Sequence, residues 1–269
     1  MLLMIDLSQY DTDKPAGYLA NYEREIGHLF SEPIALLELG VQRGGSMLLW
    51  RDLFPRGQIA GLDLNPIDLS DESGRIHVYQ GFQQDTAVLD RIASEVAPDG
   101  FDLIIDDASH IGQYTAASFW HLFTNHLKPR GTYILDDWSA AYWSAWADGR
   151  DYSGSRSALG EFAVAPTETR GAVESARRRI RSAGRPLASR VSEFSPELRD
   201  SLERVYMKVE GLSMKRRFRS HDYGMAGFVK QLVDACAIDA IDHSQHDPHG
   251  IIDSVSVMPS QVFVRRSER

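Results

Sequence analysis

Two short apolar runs, each ending in a pair of aspartates, set tight limits on how this chain can fold. Phe101 to His110 reads FDLIIDDASH, and Gly131 to Trp138 reads GTYILDDW. Leu103-Ile104-Ile105 and Tyr133-Ile134-Leu135 are bounded by Gly or Pro and separated by a segment of helical length. That is the pattern of neighbouring parallel strands buried on both faces. Asp106-Asp107 and Asp136-Asp137 are then expected side by side at the carboxyl edge of one sheet, where open α/β sheets bind their ligands. Four carboxylates gathered there repel one another unless some are protonated or a cation lies among them. A hard, oxygen-seeking cation, Mg²⁺ or Ca²⁺, suits such a site. His110, three residues beyond Asp107, is close enough to be a base beside it.

The chain before these runs has the same rhythm. A loop at Asp11–Pro15 leads to a helix with Tyr18, Tyr22, Ile26 and Leu29 at helical spacing. Strands are expected at Ile34–Leu39, Ile59–Leu64 and Ile76–Tyr79, and helices from Gly44 to Leu53, Thr86 to Val96 and Thr115 to Leu127. Strand and helix in alternation mean a parallel, doubly wound sheet. Residues 139–220 break the alternation. They are polar and Arg-rich, helical around Pro196–Gly211, and read as an insertion covering the carboxyl edge within a single domain, 1–269. A helix resumes over Tyr223–Ala235, and Ile252–Val257 with Val262–Val264 form a strand hairpin around Met258–Gln261.

Composition excludes several classes of function. A net charge of −9 disfavours a nucleic-acid binder. No apolar run approaches the roughly 18 residues of a membrane span, and Met1–Ser8 is too short and lacks the basic start of a secretory leader. The single cysteine, Cys236, fits a reducing cytoplasm. Pro166–Ser220 carries 14 Lys or Arg against 7 Asp or Glu, which leaves −16 to the rest of the chain. The runs Arg177–Arg181 and Lys215–Arg219 either hold an anionic group on a substrate or are solvated faces that pair with acidic surface, as in a homo-oligomer. His243, His246 and His249 beside Asp247 resemble a metal cluster but lie in a polar loop.

The stretch ELGVQRGGS joins the first strand to its helix through a glycine turn of the kind that lets a ligand approach backbone amides. A dinucleotide fingerprint wants Gly at the middle position, which here is Gln42. A nucleoside cofactor without a pyrophosphate does not need that glycine. Asp63, ending the next strand, suits a ribose diol, and it equally suits the cap of a tight turn.

The order E-x-G at the first strand, GLDLNP at the second, IDDASH at the fourth and ILDDW at the fifth resembles class I S-adenosylmethionine-dependent methyltransferases. More narrowly, it is similar to the metal-dependent sugar O-methyltransferases of macrolide and rhamnosyl-antibiotic biosynthesis. The resemblance covers about Asp11–Trp143 and Tyr223 to the end. It implies a Rossmann-like seven-stranded sheet whose last strand is antiparallel, with a helical insertion after the fifth strand. It implies that Asp107, Asp136 and Asp137 hold Mg²⁺ and that His110 is the general base. Gly40, Ser46, Asp63 and Gln83 would line the S-adenosylmethionine site, which Asp107 shares with the metal. Phe82 stands where an acidic residue is usual, and the extra N-terminal domain of the macrolide enzymes is not seen, so the acceptor does not transfer with the resemblance.

The chemistry agrees with this reading. A sugar hydroxyl is a poor nucleophile at neutral pH, and a cation together with a nearby imidazole answers that. Side chains alternate along a strand, so Asp106 is set apart from the metal ligands and expected to face the cofactor or a helix N-terminus. The expected function is Mg²⁺-dependent O-methylation of a sugar or glycoside hydroxyl. The alternatives are a nucleotide-dependent oxidoreductase, which Gln42 disfavours, and a non-catalytic relative.

Overall fold

The computed structural model of the protein describes residues 6–143, 145–151, 161–163, 217–219, 222–241 and 251–268. The chain divides into two compact units, Met1–Asp151 with Asp222–Arg269, and Tyr152–His221. Its strands are β1 (Ala35–Leu39), β2 (Gln58–Asp63), β3 (Ile76–Gln80), β4 (Phe101–Asp106), β5 (Leu127–Asp136), β6 (Glu161–Ala163), β7 (Arg217–Arg219), β8 (Ile252–Met258) and β9 (Gln261–Arg266).

Seven of them form one sheet in the order β3-β2-β1-β4-β5-β9-β8. β1 to β5 pair in parallel, while β9 runs antiparallel to both β5 and β8. The chain steps outward from β1 to β3 and then returns to lay β4 on the other side of β1. The order reverses at β1, the kind of switch point where open α/β sheets bind their ligands.

Strand parity sorts the core into two layers. Leu36, Ile59, Leu103, Ile105 and Ile134 pack with α1 (Ala16–Ile26) and α2 (Gly45–Leu53). Leu37, Leu39, Ala60, Leu62, Ile104 and Leu135 pack on the other face. That face carries α3 (Thr86–Val96), α4 (Gly112–Asn125) and the long helix after the second unit, Gly224–Ile241. The short α5 (Ala147–Asp151) precedes that long helix in the chain, so the latter is α6.

α3 spans the residues expected of it, started by Asp85, whose carboxylate accepts from the Ala87 and Val88 amides. α4 starts three residues earlier than expected, at Gly112, for a reason no local pattern carries. The buried Asp148 accepts from the Gly112 amide at 2.8 Å and from the Met225 amide at 2.7 Å. One carboxylate thus caps the first turns of both α4 and α6, where amides lack helical partners and the dipole favours an anion.

In the second unit β6 and β7 form an antiparallel pair, with Phe162 opposite Phe218. The helix expected around 196–211, the run 177–181 and the histidines at 243, 246 and 249 lie outside the described residues. Among those described, no helix is long and apolar enough to cross a membrane.

Candidate active site at the carboxyl edge of the sheet

The two acid pairs do not meet level with each other. Asp106 pairs in register with Leu135, which puts Asp107 beside Asp136. Parity then sends Asp136 to the α1/α2 face with Ile134, and Asp106 to the opposite face with Ile104.

On the α1/α2 face the carboxylates close around an ammonium group. Lys14 Nζ lies 2.7 Å from Asp107 Oδ2, 2.9 Å from Asp136 Oδ2 and 3.3 Å from Glu38 Oε1, with its side chain 2% exposed. Burial alone would lower its pKa, but the anionic partners Asp107, Asp136 and Glu38 outweigh that and hold it well above the ordinary lysine value. Tyr22 and Gln261 also donate to Asp136, and Tyr18 donates to Asp137. Tyr18 and Tyr22 lie one turn apart on α1, and Lys14 reaches the same acids from the loop before it, since α1 begins at Ala16 after an extended Pro15. Both oxygens of the fully buried Asp136 are engaged by the protein.

Asp107, His110 and Asp137 form the second group, with ligand atoms all within 4.8 Å of one another. Asp136 is not brought into it. His110 Nε2 is 3.9 Å from Asp107 Oδ1, and the imidazole is 7% exposed. Burial depresses its pKa below 6.5 against the opposing charges of Asp137 and Asp136, so the ring is neutral at pH 7. Trp146 packs edge-on against it at 4.9 Å. His110 (φ 53°) and Asp137 (φ 56°) both lie in the left-handed region. His and Asp tolerate that region better than most residues, and backbone held there concentrates at functional sites.

The residues expected on the cofactor side sit nearby. Gly40 has φ 82°, and a Cβ there would strike the Asp107 carbonyl. Only glycine lets the end of β1 lie against the end of β4 in this way. Ser46 Oγ donates to the buried Glu38 at 2.6 Å. Asp63 Oδ2 accepts from the amides of Val41 and Gln42 at 3.0 and 2.9 Å, and Oδ1 accepts from Asn65 at 2.8 Å. The carboxylate therefore fixes the glycine turn.

Asp106 lies beside Gln83 rather than at a helix N-terminus. It is buried among Gln83, Ser118 and Tyr133, all of which donate to it, and burial pushes its pKa up to about 6 despite them. Gln83 is bonded at both ends, to Asp106 and to the Ser109 amide. Sequence reading missed Lys14, Tyr18, Tyr22 and Trp146. The helical spacing of Tyr18 and Tyr22 and the aromatic density of WSAAYWSAW were signals, whereas Lys14 in its loop had none.

A scan against protein-family models finds no match. Among solved structures, MycE methyltransferase from the mycinamycin pathway, in complex with Mg and SAH, superposes with a TM-score of 0.64. It is 26% identical, and the alignment covers 98% of this chain and 55% of MycE. The chain has the class I methyltransferase fold. Mycinamicin VI 2''-O-methyltransferase of Micromonospora griseorubida is 39% identical over 161 residues, which is 55% of this chain and 39% of that protein. A tetracenomycin 3'-O-methyltransferase of Streptomyces olivaceus is 37% identical over 147 residues, 52% of this chain and 35% of its own length. The chain thus resembles sugar O-methyltransferases while spanning little more than half of MycE and less of these two relatives.

Proposed function

We propose that this protein is an S-adenosylmethionine-dependent, Mg²⁺-dependent O-methyltransferase acting on a hydroxyl of a sugar or glycoside. The observation that carries the reading is the buried His110 grouped with Asp107 and Asp137 at the carboxyl edge. The fit to a hard cation is chemical. The bonds to Lys14 and Tyr18 use Asp107 Oδ2 and Asp137 Oδ1, leaving one oxygen of each carboxylate for an ion. Asp107 and Asp137 would hold Mg²⁺. Asp136, expected as the third ligand, is assigned to anchoring Lys14 and Tyr22 behind them.

When bound, Mg²⁺ supplies Lewis acidity toward the acceptor hydroxyl, and S-adenosylmethionine supplies the methyl group. His110 would take the hydroxyl proton on Nε2 as the oxygen bonds the methyl carbon and the carbon–sulfur bond breaks, the electron pair leaving with S-adenosylhomocysteine. Gly40, whose missing Cβ lets Asp107 lie against the end of β1, and Asp63, accepting from the ribose, would line the cofactor site, with Ser46 and Gln83 stiffening that wall. Trp146 holds the imidazole ring and excludes water from one side of it. The Arg-rich 166–220 stretch either meets an anionic group on the acceptor or pairs subunits of a homo-oligomer. The setting is the cytoplasm, and 1–269 is one methyltransferase domain carrying the 139–220 insertion.

The test is methyl transfer from labelled S-adenosylmethionine to a panel of glycosides, followed by mass. Turnover should vanish with EDTA and return with Mg²⁺. Full turnover in metal-free buffer would remove the metal from the reading, and failure across all hydroxyl acceptors would remove the reaction.

A further inference from the structure

A second group of ligating side chains lies away from the carboxyl edge. Asp90 is on α3, His121 is in the last turns of α4, and His126 caps the end of that helix. His126 is 14 residues beyond Gly112, about 20 Å along the helix at 1.5 Å per residue. Both imidazoles turn the same atom to the same oxygen, with His121 Nε2 and His126 Nε2 each 2.6 Å from Asp90 Oδ1. The ring centroids are 5.3 Å apart, and all three ligand atoms lie within 4.8 Å of one another. The histidine side chains are 19% and 21% exposed, and that of Asp90 is 54% exposed.

We propose that Asp90, His121 and His126 form a binding site for a divalent transition-metal ion of the Zn²⁺ class, distinct from the oxygen-ligand site at the carboxyl edge. Two imidazole nitrogens and one carboxylate oxygen suit Zn²⁺, whose bonds to such ligands are about 2.0–2.2 Å. The same set does not suit Mg²⁺, which takes oxygen ligands and keeps its waters. In tetrahedral geometry at those bond lengths the ligand atoms stand about 3.3 Å apart, so each nitrogen–oxygen separation must open from 2.6 Å. The half-exposed aspartate leaves the fourth position to water. Each Nε2 must present its lone pair, so the ring proton moves to Nδ1. On His121 that atom lies 3.5 Å from the Asn125 side-chain nitrogen, which donates to the His121 carbonyl at 2.9 Å, so a proton on Nδ1 needs that amide to draw back. A bound ion ties α3 to α4 across 31 to 36 residues of chain.

The experiment uses the full chain stripped with EDTA and desalted, then titrated with ZnCl₂ by equilibrium dialysis. His110→Ala, the double variant His121→Ala/His126→Ala, and the milder His121→Gln are run alongside, with circular dichroism confirming that each is folded. Wild type and His110→Ala should share one Zn²⁺ equivalent that the double variant binds about 100-fold more weakly or not at all. His121→Gln should weaken that same equivalent. Zn²⁺ should raise the unfolding midpoint of wild type and His110→Ala but not that of the double variant. Equal Zn²⁺ binding by wild type and the double variant would overturn the proposal, as would a wild type whose only Zn²⁺ equivalent disappears with His110.

Discussion

Asp106 and Asp136 close neighbouring strands on one edge of one sheet, yet their carboxylates have opposite surroundings. Asp136 is held by a buried ammonium and a phenol. Asp106 meets only uncharged donors, and burial raises its pKa to about 6. The two residues share type, edge and burial, and differ in which face parity assigns them. The α1/α2 face received the cation, and the α3/α4 face received amide and hydroxyl dipoles. An acid on the first face has a counter-charge beside the chemistry, whereas the one on the second is a structural group near its titration point. Parity therefore puts Asp136 beside an internal cation and Asp106 among neutral dipoles, and that separation can be broken at four places.

The largest effect is expected at the base on the charged side. His110→Ala should lower turnover by about 10²–10⁴-fold, the usual span for a general base, with cofactor and Mg²⁺ binding retained. Its depressed pKa means that the free base already prevails at neutrality. The rate should rise with pH through a value below 6.5 and then level off. A variant with near-normal turnover and the same profile would assign the proton to another group.

Next comes the internal cation. Lys14→Met keeps the length of the side chain and removes its charge, leaving Asp136 and Glu38 buried without compensation. Loss of one partner of a buried ion pair costs about 3–5 kcal/mol, which at this size lowers the unfolding midpoint by roughly 10 °C. The same change makes the edge more negative, so the surviving folded protein should bind Mg²⁺ more tightly by calorimetry. Looser Mg²⁺ binding would mean that Lys14 shapes the ion site rather than competing with it.

The third effect is smaller and sits at the glycine turn. Asp63→Ala should weaken S-adenosylmethionine by about 1.5–3 kcal/mol, the contribution of a hydrogen bond to a charged acceptor. The Asp63 carboxylate already accepts three backbone amides. An unchanged affinity alongside a lowered unfolding midpoint would leave it as a turn cap only.

What the sequence made legible follows the same physical line. Apolar runs such as Leu103-Ile104-Ile105 announce buried strands because burial on both faces leaves no polar position to interrupt them. The need for a cation among the acids was also readable, from repulsion alone. Its nearest supplier was not. Lys14 is one lysine in a polar loop, 93 residues from Asp107 and 122 from Asp136, and only the fold brings them together. Asp148 shows the same limit, capping two helices through amides 36 residues before it and 77 residues after it. The one-residue offset between β4 and β5 was likewise invisible, because register is set by packing and not by the acids themselves.

The smallest effect tests the neutral side directly. Asp106→Asn imitates the protonated acid, and the Ser118 and Tyr133 hydroxyls can turn from donating to accepting. A carboxyl whose folded pKa is raised contributes stability that is whole below the unfolded value, near 3.8, and is lost as pH rises through the folded value, about 6. A tenfold difference in proton affinity between the folded and unfolded chain is worth about 1.4 kcal/mol. The stability of Asp106→Asn relative to wild type should therefore improve by about 2–3 kcal/mol between pH 4 and pH 7, at no more than about 1.4 kcal/mol per pH unit. Urea titrations of both proteins at several pH values measure that slope. Asp136→Asn, run beside it, should give no such gain, because its carboxylate is ion-paired with Lys14 and the neutral amide forfeits that pairing. Parallel pH slopes for the two variants would mean that the surroundings of the two acids are alike in energy, and the division of the edge by strand parity would fall.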